Sequence, residues 1–223
     1  MRTTTCSVGA PGKYARRMQH ASQLSAARWT SATLLAAAGA TYAYHTRLLV
    51  VAAASALVGA WCWTKVRKHL GAAGRQSVGA NSERVVARAL KRAGAYYVIN
   101  NATLPGASGD ADHVVLTSRG CAVVETKSGG GAVRIGAGAI VTGKGRRIPG
   151  DPIGQVLAQA AALRRLTGQP VRAIVCIPWM SNKAFTTGEV TICSAPALPA
   201  VLAAMGGQLS AAAATHAAAS IRT

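Results

Sequence analysis

Two carboxylates and an ammonium stand close together in the stretch DADHVVLTSRGCAVVETK, residues 110–127. The Val-rich runs His113–Thr117 and Cys121–Thr126 read as β-strands joined by a tight turn at Ser118-Arg119. A hairpin centred there sets residue 117 opposite 120 and residue 112 opposite 125. Asp112 and Glu125 then become cross-strand neighbours with Cβ atoms about 5 Å apart. Lys127 lies two positions beyond Glu125 and points to the same face. Carboxylates that close repel each other unless a cation sits between them. A hard divalent ion with oxygen ligands meets that need, and a nearby ammonium orients or helps deprotonate the water it carries. That is the equipment for hydrolysing a phosphodiester. The bland alternative is an ordinary surface salt bridge.

Acid is scarce in this chain, which gives the cluster weight. The 223 residues hold 25 Lys and Arg against 6 Asp and Glu, a formal charge of +19. Such a balance predicts attraction to polyanions, whether nucleic acid or anionic lipid. A third acid, Glu83, falls on an expected helix over 82–93, capped by Asn81 or Ser82. It shares the apolar stripe of Val86 and Leu90, where a carboxylate needs a partner or a metal. The alternative is an exposed first-turn Glu favoured by the helix dipole. The opposite face carries Arg84, Arg88, Lys91 and Arg92, which suits water, phosphates or anionic lipid.

Other signals carry less. The five Cys are scattered with no CxxC, and the five His show no HExxH spacing, so neither a zinc knuckle nor a disulfide framework is expected. Gly138 to Lys144 imitates a P-loop, but Gly145 follows where Ser or Thr is required. Lys144, Arg146 and Arg147 still form a basic segment suited to clamping a phosphate backbone. His113 points away from Asp112 by strand alternation and reads as packing.

The elements that position these residues read as a small α/β domain with a mixed sheet. Beside the two central runs, Tyr96–Asn100, Val171–Ile177 and Val190–Cys193 are strand-like, with weaker strands near Val133 and Ile140. Asp151-Pro152 opens a helix running to about Thr167. Ahead of the domain, residues 29–64 hold apolar runs of 16 and 17 residues split by His45-Thr46-Arg47. Each spans about 25 Å at roughly 1.5 Å per residue, near the thickness of a bilayer core. Trp29, Trp61 and Trp63 mark one boundary, and Tyr42 and Tyr44 the other. Arg2, Lys13, Arg16, Arg17 and Arg28 precede the first run, and Lys65, Arg67, Lys68 and Arg75 follow the second. The expectation is a transmembrane hairpin in the inner (cytoplasmic) membrane, with both termini cytoplasmic.

The stretch from Gly79 to about Trp179 resembles the nuclease-related domain, NERD, of the PD-(D/E)xK restriction-endonuclease-like superfamily. GANSERVVARAL, LPGASGDADHVVLTSRGCAVVETKSGGG, DPIGQVLAQAAALRR and VRAIVCIP carry the resemblance, in the family's order and spacing, over about 100 of 223 residues. It implies a restriction-endonuclease-like mixed central sheet flanked by helices. It also implies that Asp112 and Glu125 bind metal, that Lys127 is the catalytic lysine and that Glu83 is the first-helix acid. Gln155 matches a Gln near the start of the helix after the core sheet, and Gln159, one turn on, is a weaker candidate. Ser82 stands where the family often has Gly, and Ser128 where it often has Asn.

The organisation expected is a basic cytoplasmic leader (1–28), two transmembrane helices (29–64), a basic, Gly-containing linker (65–78), the nuclease-like α/β domain (79–195) and an Ala-rich tail (196–223). The function expected is a membrane-anchored, Mg²⁺- or Mn²⁺-dependent nuclease. Asp112, Glu125 and the Thr126 carbonyl would hold the metal. Lys127, Glu83 and Gln155 would serve catalysis. Lys144, Arg146, Arg147, Arg84 and Arg88 would bind nucleic acid, DNA before RNA. A non-catalytic nucleic-acid-binding membrane adaptor is the alternative.

Overall fold

The computed structural model describes residues 5–107, 109–181 and 183–221. Arg2 of the leader and the last two residues of the tail lie outside them. The chain forms two compact units. One takes in the chain up to Gly12 and again from Gly79 onward, and the other is Lys13–Val78.

The first unit is a mixed α/β structure. Its seven-stranded sheet contains β1 (Cys6–Val8), β2 (Tyr97–Thr103), β3 (Asp110–Thr117) and β4 (Gly120–Thr126). It is completed by β8 (Val171–Cys176), β11 (Val190–Cys193) and β10 (Ala184–Thr187), in the order β1-β2-β3-β4-β8-β11-β10. Pairing is antiparallel for β2/β3, β3/β4 and β10/β11 and parallel for the rest. The central strands are buried on both faces, so they read as near-continuous apolar runs. On one face Val123, Val175 and Ile192 pack with Val156 and Leu163 of α3 (Pro152–Thr167) and Ala214 and Ala217 of α5 (Ala211–Ala219). On the other, Val124, Ile174 and Cys193 pack with Val86 and Leu90 of α2 (Leu49–Arg92) and Leu198 and Leu202 of α4 (Leu198–Ala203).

Helix α3 begins and ends where its residues demand. Asp151 caps it by accepting from the Gly154 amide at 2.9 Å. Pro152 supplies a preset first turn, and Gly168 closes it at φ +65°. Two small ladders complete the unit. β5 (Gly130–Gly131) pairs with β9 (Trp179–Met180), and β6 (Val133–Gly136) with β7 (Ala139–Thr142).

The helical unit departs from expectation. α1 (Lys13–His45) and α2 are both long, but among the described residues only α2 is apolar enough to cross a membrane, by length and composition. Two transmembrane helices were expected. Thr30, Ser31, Thr33 and Thr41, mixed among alanines, dilute the apolar stretch of α1. Residues 65–78 are not a linker but continuous helix, and α2 passes through residues 81 and 82 without a cap. Gly71, Gly74 and Gly79 are tolerated there at a modest helix-propensity cost. Glu83 therefore sits well inside a helix rather than in its first turn.

Within the leader, Cys6–Val8 forms an edge strand parallel to β2, which the sequence did not signal. The Asn100 side chain donates to the carbonyls of Val8 at 2.9 Å and Gly9 at 3.2 Å. Asn101 donates to the Ala10 carbonyl at 2.7 Å. The Ala-rich tail breaks into α4 and α5, separated at Gly206-Gly207, and α5 joins the core.

Candidate active site

The β3/β4 register sets Thr117 opposite Gly120 and His113 opposite Val124, where the paired ladder ends, one step short of Asp112 and Glu125. Just there the pleat slips by one residue. Ile99 and Ala102 share one core although three residues apart, and so do Val114 and Ala111. Asn101, between the paired positions Asn100↔His113 and Ala102↔Ala111, adopts φ +54°, a conformation that Asn tolerates better than most residues. The slip falls opposite Asp112, whose Oδ2 accepts the Thr126 amide at 2.7 Å.

Glu125, Lys127 and Gln155 close a ring of hydrogen bonds. Lys127 Nζ lies 2.6 Å from Glu125 Oε1 and donates to Gln155 Oε1 at 3.3 Å. Gln155 Nε2 donates to Glu125 Oε2 at 2.9 Å. Gln155 can reach because the Asp151 cap starts α3 just ahead of it. Glu125 is 2% exposed and the lysine 24%, so the pair is sunk at the strand end with the ammonium toward the opening.

The electrostatics single out Asp112. Burial pushes its carboxyl well above the usual range, Glu125 and Glu83 push it further, and the Thr126 amide and Lys127 oppose them. Burial also raises Glu125, against the pull of Lys127 and Gln155. Two neighbouring carboxylates thus act on Asp112, and positive charge placed beside it would favour its ionised form. Among the described residues no three His, Cys, Asp or Glu side chains form a metal cage. Two carboxylates and the Thr126 carbonyl do suit a hard ion such as Mg²⁺, which keeps several waters and takes further oxygens from a phosphate substrate.

Glu83 is held by a residue that sequence reasoning missed, since its carboxylate accepts the backbone N–H of Gly12. Nothing in the leader signals this, because a three-residue strand has no periodicity to read. A second link joins Ser82 Oγ and Ser128 Oγ at 3.1 Å. It ties the α2 residue before Glu83 to the residue after Lys127.

The remaining candidates separate. Gln159 is buried and bonds the Asp110 carbonyl at 3.1 Å, outside the ring. His113 is fully buried, and its Nδ1 bonds Asn100 Oδ1 at 2.7 Å. Because Asn100 Nδ2 donates to backbone carbonyls, His113 Nδ1 is the protonated nitrogen. Lys144, Arg146 and Arg147 are exposed and line a cleft of about 540 Å³ with Ser128 and Gly129–Gly131, directly beyond Lys127. Arg84 and Arg88 are exposed on α2, where each bonds a carbonyl of its own helix, and neither lines that cleft.

Residues 78–178 match the family model of the nuclease-related domain, NERD. The NERD match contains Glu83, Asp112, Glu125, Lys127, Gln155 and the basic cleft. It stops short of β11, β10 and α5, and it leaves out the N-terminal segment that holds Glu83. No curated protein and no solved structure matches the chain.

Proposed function

We propose that the NERD-containing unit is a divalent-metal-dependent phosphodiester hydrolase that acts on nucleic acid, DNA before RNA, at the cytoplasmic face of a membrane. The observation that carries this reading is the ring of Glu125, Lys127 and Gln155 beside the Asp112 carboxylate, which accepts the Thr126 amide. The mixed sheet with helices on both faces is consistent with a restriction-endonuclease-like fold.

Asp112, Glu125 and the Thr126 carbonyl would hold Mg²⁺ or Mn²⁺. Such an ion supplies Lewis acidity, lowering the pKa of a bound water and drawing charge from the scissile phosphate. Gln155 fixes the Lys127 ammonium through Oε1 and Glu125 through Nε2, so neither side chain needs to reorganise during reaction. Lys127 Nζ then orients the attacking water and offsets charge building on the phosphate. Glu83 adds negative charge that strengthens cation binding. Lys144, Arg146 and Arg147 hold the backbone beyond the site, with Arg84 and Arg88 as outlying contacts.

The apolar stretch of α2 would supply the anchor. Leu49, Val50, Leu57 and Trp61 expose half or more of their surface, and basic residues follow from Lys65 onward. The basic residues on both flanks of the apolar stretches favour a cytoplasmic placement of both ends.

The test is Mg²⁺-dependent cleavage of plasmid DNA and of single-stranded RNA by the full chain and by Lys127→Ala. Cleavage by the parent, with a loss of about 10²-fold or more in the variant, upholds the reading. Equal cleavage by both contradicts it. Binding without cleavage, lost when Lys144, Arg146 and Arg147 become Ala, would assign the chain to tethering instead.

A further inference from the structure

A larger cleft lies at the other end of the same strands. It measures about 1080 Å³ and is lined by Arg119 of the β3–β4 turn, Arg164 near the end of α3 and Arg172 at the start of β8. Leu157 and Ala160 from one face of the sheet and Met205 from the other add apolar lining. Along β4, Arg119 lies about 20 Å from Glu125 at about 3.3 Å per residue. None of these three arginines forms an ion pair among the described residues. The cleft thus carries three arginines and a single acid, Glu189, on its lining.

We infer that this cleft is a second anion site that takes the phosphate ester of a nucleotide. Guanidinium forks match phosphate oxygens in geometry and charge. Apolar lining gives a planar base something to lie against, and the volume is ample for a ligand of that size. The same chemistry is offered by a free mononucleotide and by one nucleotide of a strand. The site goes beyond the hydrolase reading, because none of its residues belongs to the ring around Glu125.

The experiment is fluorescence anisotropy of labelled deoxyadenosine 5′-monophosphate with the full chain in detergent. Unlabelled mononucleotide, deoxyadenosine and a short oligothymidylate serve as competitors. The expected result is saturable binding that deoxyadenosine does not displace. It weakens about tenfold or more in the Arg119→Ala/Arg172→Ala pair and is unchanged in Lys127→Ala. Displacement by the mononucleotide identifies a free nucleotide as the ligand. Displacement by the oligothymidylate alone assigns the cleft to a strand. Absence of binding, equal binding by the arginine pair, or loss in Lys127→Ala with the arginine pair unaffected would overturn the inference. A Lys127→Ala chain that no longer cleaves but still binds the probe separates this site from the hydrolase reading.

Discussion

The backbone N–H of Gly12 donates to the carboxylate of Glu83, joining residues 71 positions apart. The contact makes the N-terminal segment part of the candidate site. It depends on backbone that only glycine adopts easily, because Gly9 and Gly12 sit at φ +77° and +72°.

Gly9→Ala tests that dependence. A Cβ there would fall inside van der Waals contact with the Asn100 carbonyl, on top of strain of about 1–3 kcal/mol from the left-handed backbone. The expected outcome is undocking of β1, read by hydrogen exchange as about tenfold or greater loss of protection at the Cys6 amide, which bonds the Tyr96 carbonyl at 3.0 Å. Unchanged protection would show that the strand docks without this glycine.

The Glu125–Lys127 pair predicts a non-additive mutant cycle. Lys127→Met leaves a carboxylate that is 2% exposed without its cation, at a cost of about 3 kcal/mol. Adding Glu125→Gln removes the stranded charge, so the double variant recovers most of that loss in denaturant unfolding. Equal destabilisation of single and double variants would mean that the ring contributes through packing alone.

Burial lowers the His113 pKa from 6.5 to about 3. Between those values the unfolded chain binds the extra proton, so this residue makes stability fall as pH drops through the window, by up to about 1.4 kcal/mol per pH unit. The raised carboxyls of Asp112 and Glu125 act in the opposite sense, so the difference from His113→Gln isolates the histidine. From about pH 6 to about pH 4 the variant should lose stability less steeply than the parent. Identical slopes would place the imidazole in contact with solvent.

Much of the sheet and the centre of the site were legible because their signals are local. The turn at Ser118-Arg119 fixes the register of β3 on β4, and Asp151-Pro152 fixes the start of α3, which delivers Gln155. What was not legible depends on distant chain. β1 is too short to carry a pattern, and its partners Asn100 and Asn101 read as ordinary strand residues. The cap expected at Asn81 or Ser82 was wrong because tertiary packing and the preceding helix override local capping preference. The expected pair of membrane helices reduced to one candidate because α1 is rich in Thr and Ala rather than Leu and Val. Ser82 and Ser128, read separately as departures from the family pattern, bond to each other across the site. Only the folded chain shows that the two departures belong together.

The central claim is that Asp112 and Glu125 share a divalent cation. Calorimetric titration of Mg²⁺ and Mn²⁺ into the full chain, repeated with a non-cleavable DNA present, tests it against Asp112→Asn. The account predicts saturable binding in at least one of the two conditions, abolished in Asp112→Asn while that variant's circular dichroism matches the parent's. No saturable binding in either condition, or equal binding by the variant, would contradict it.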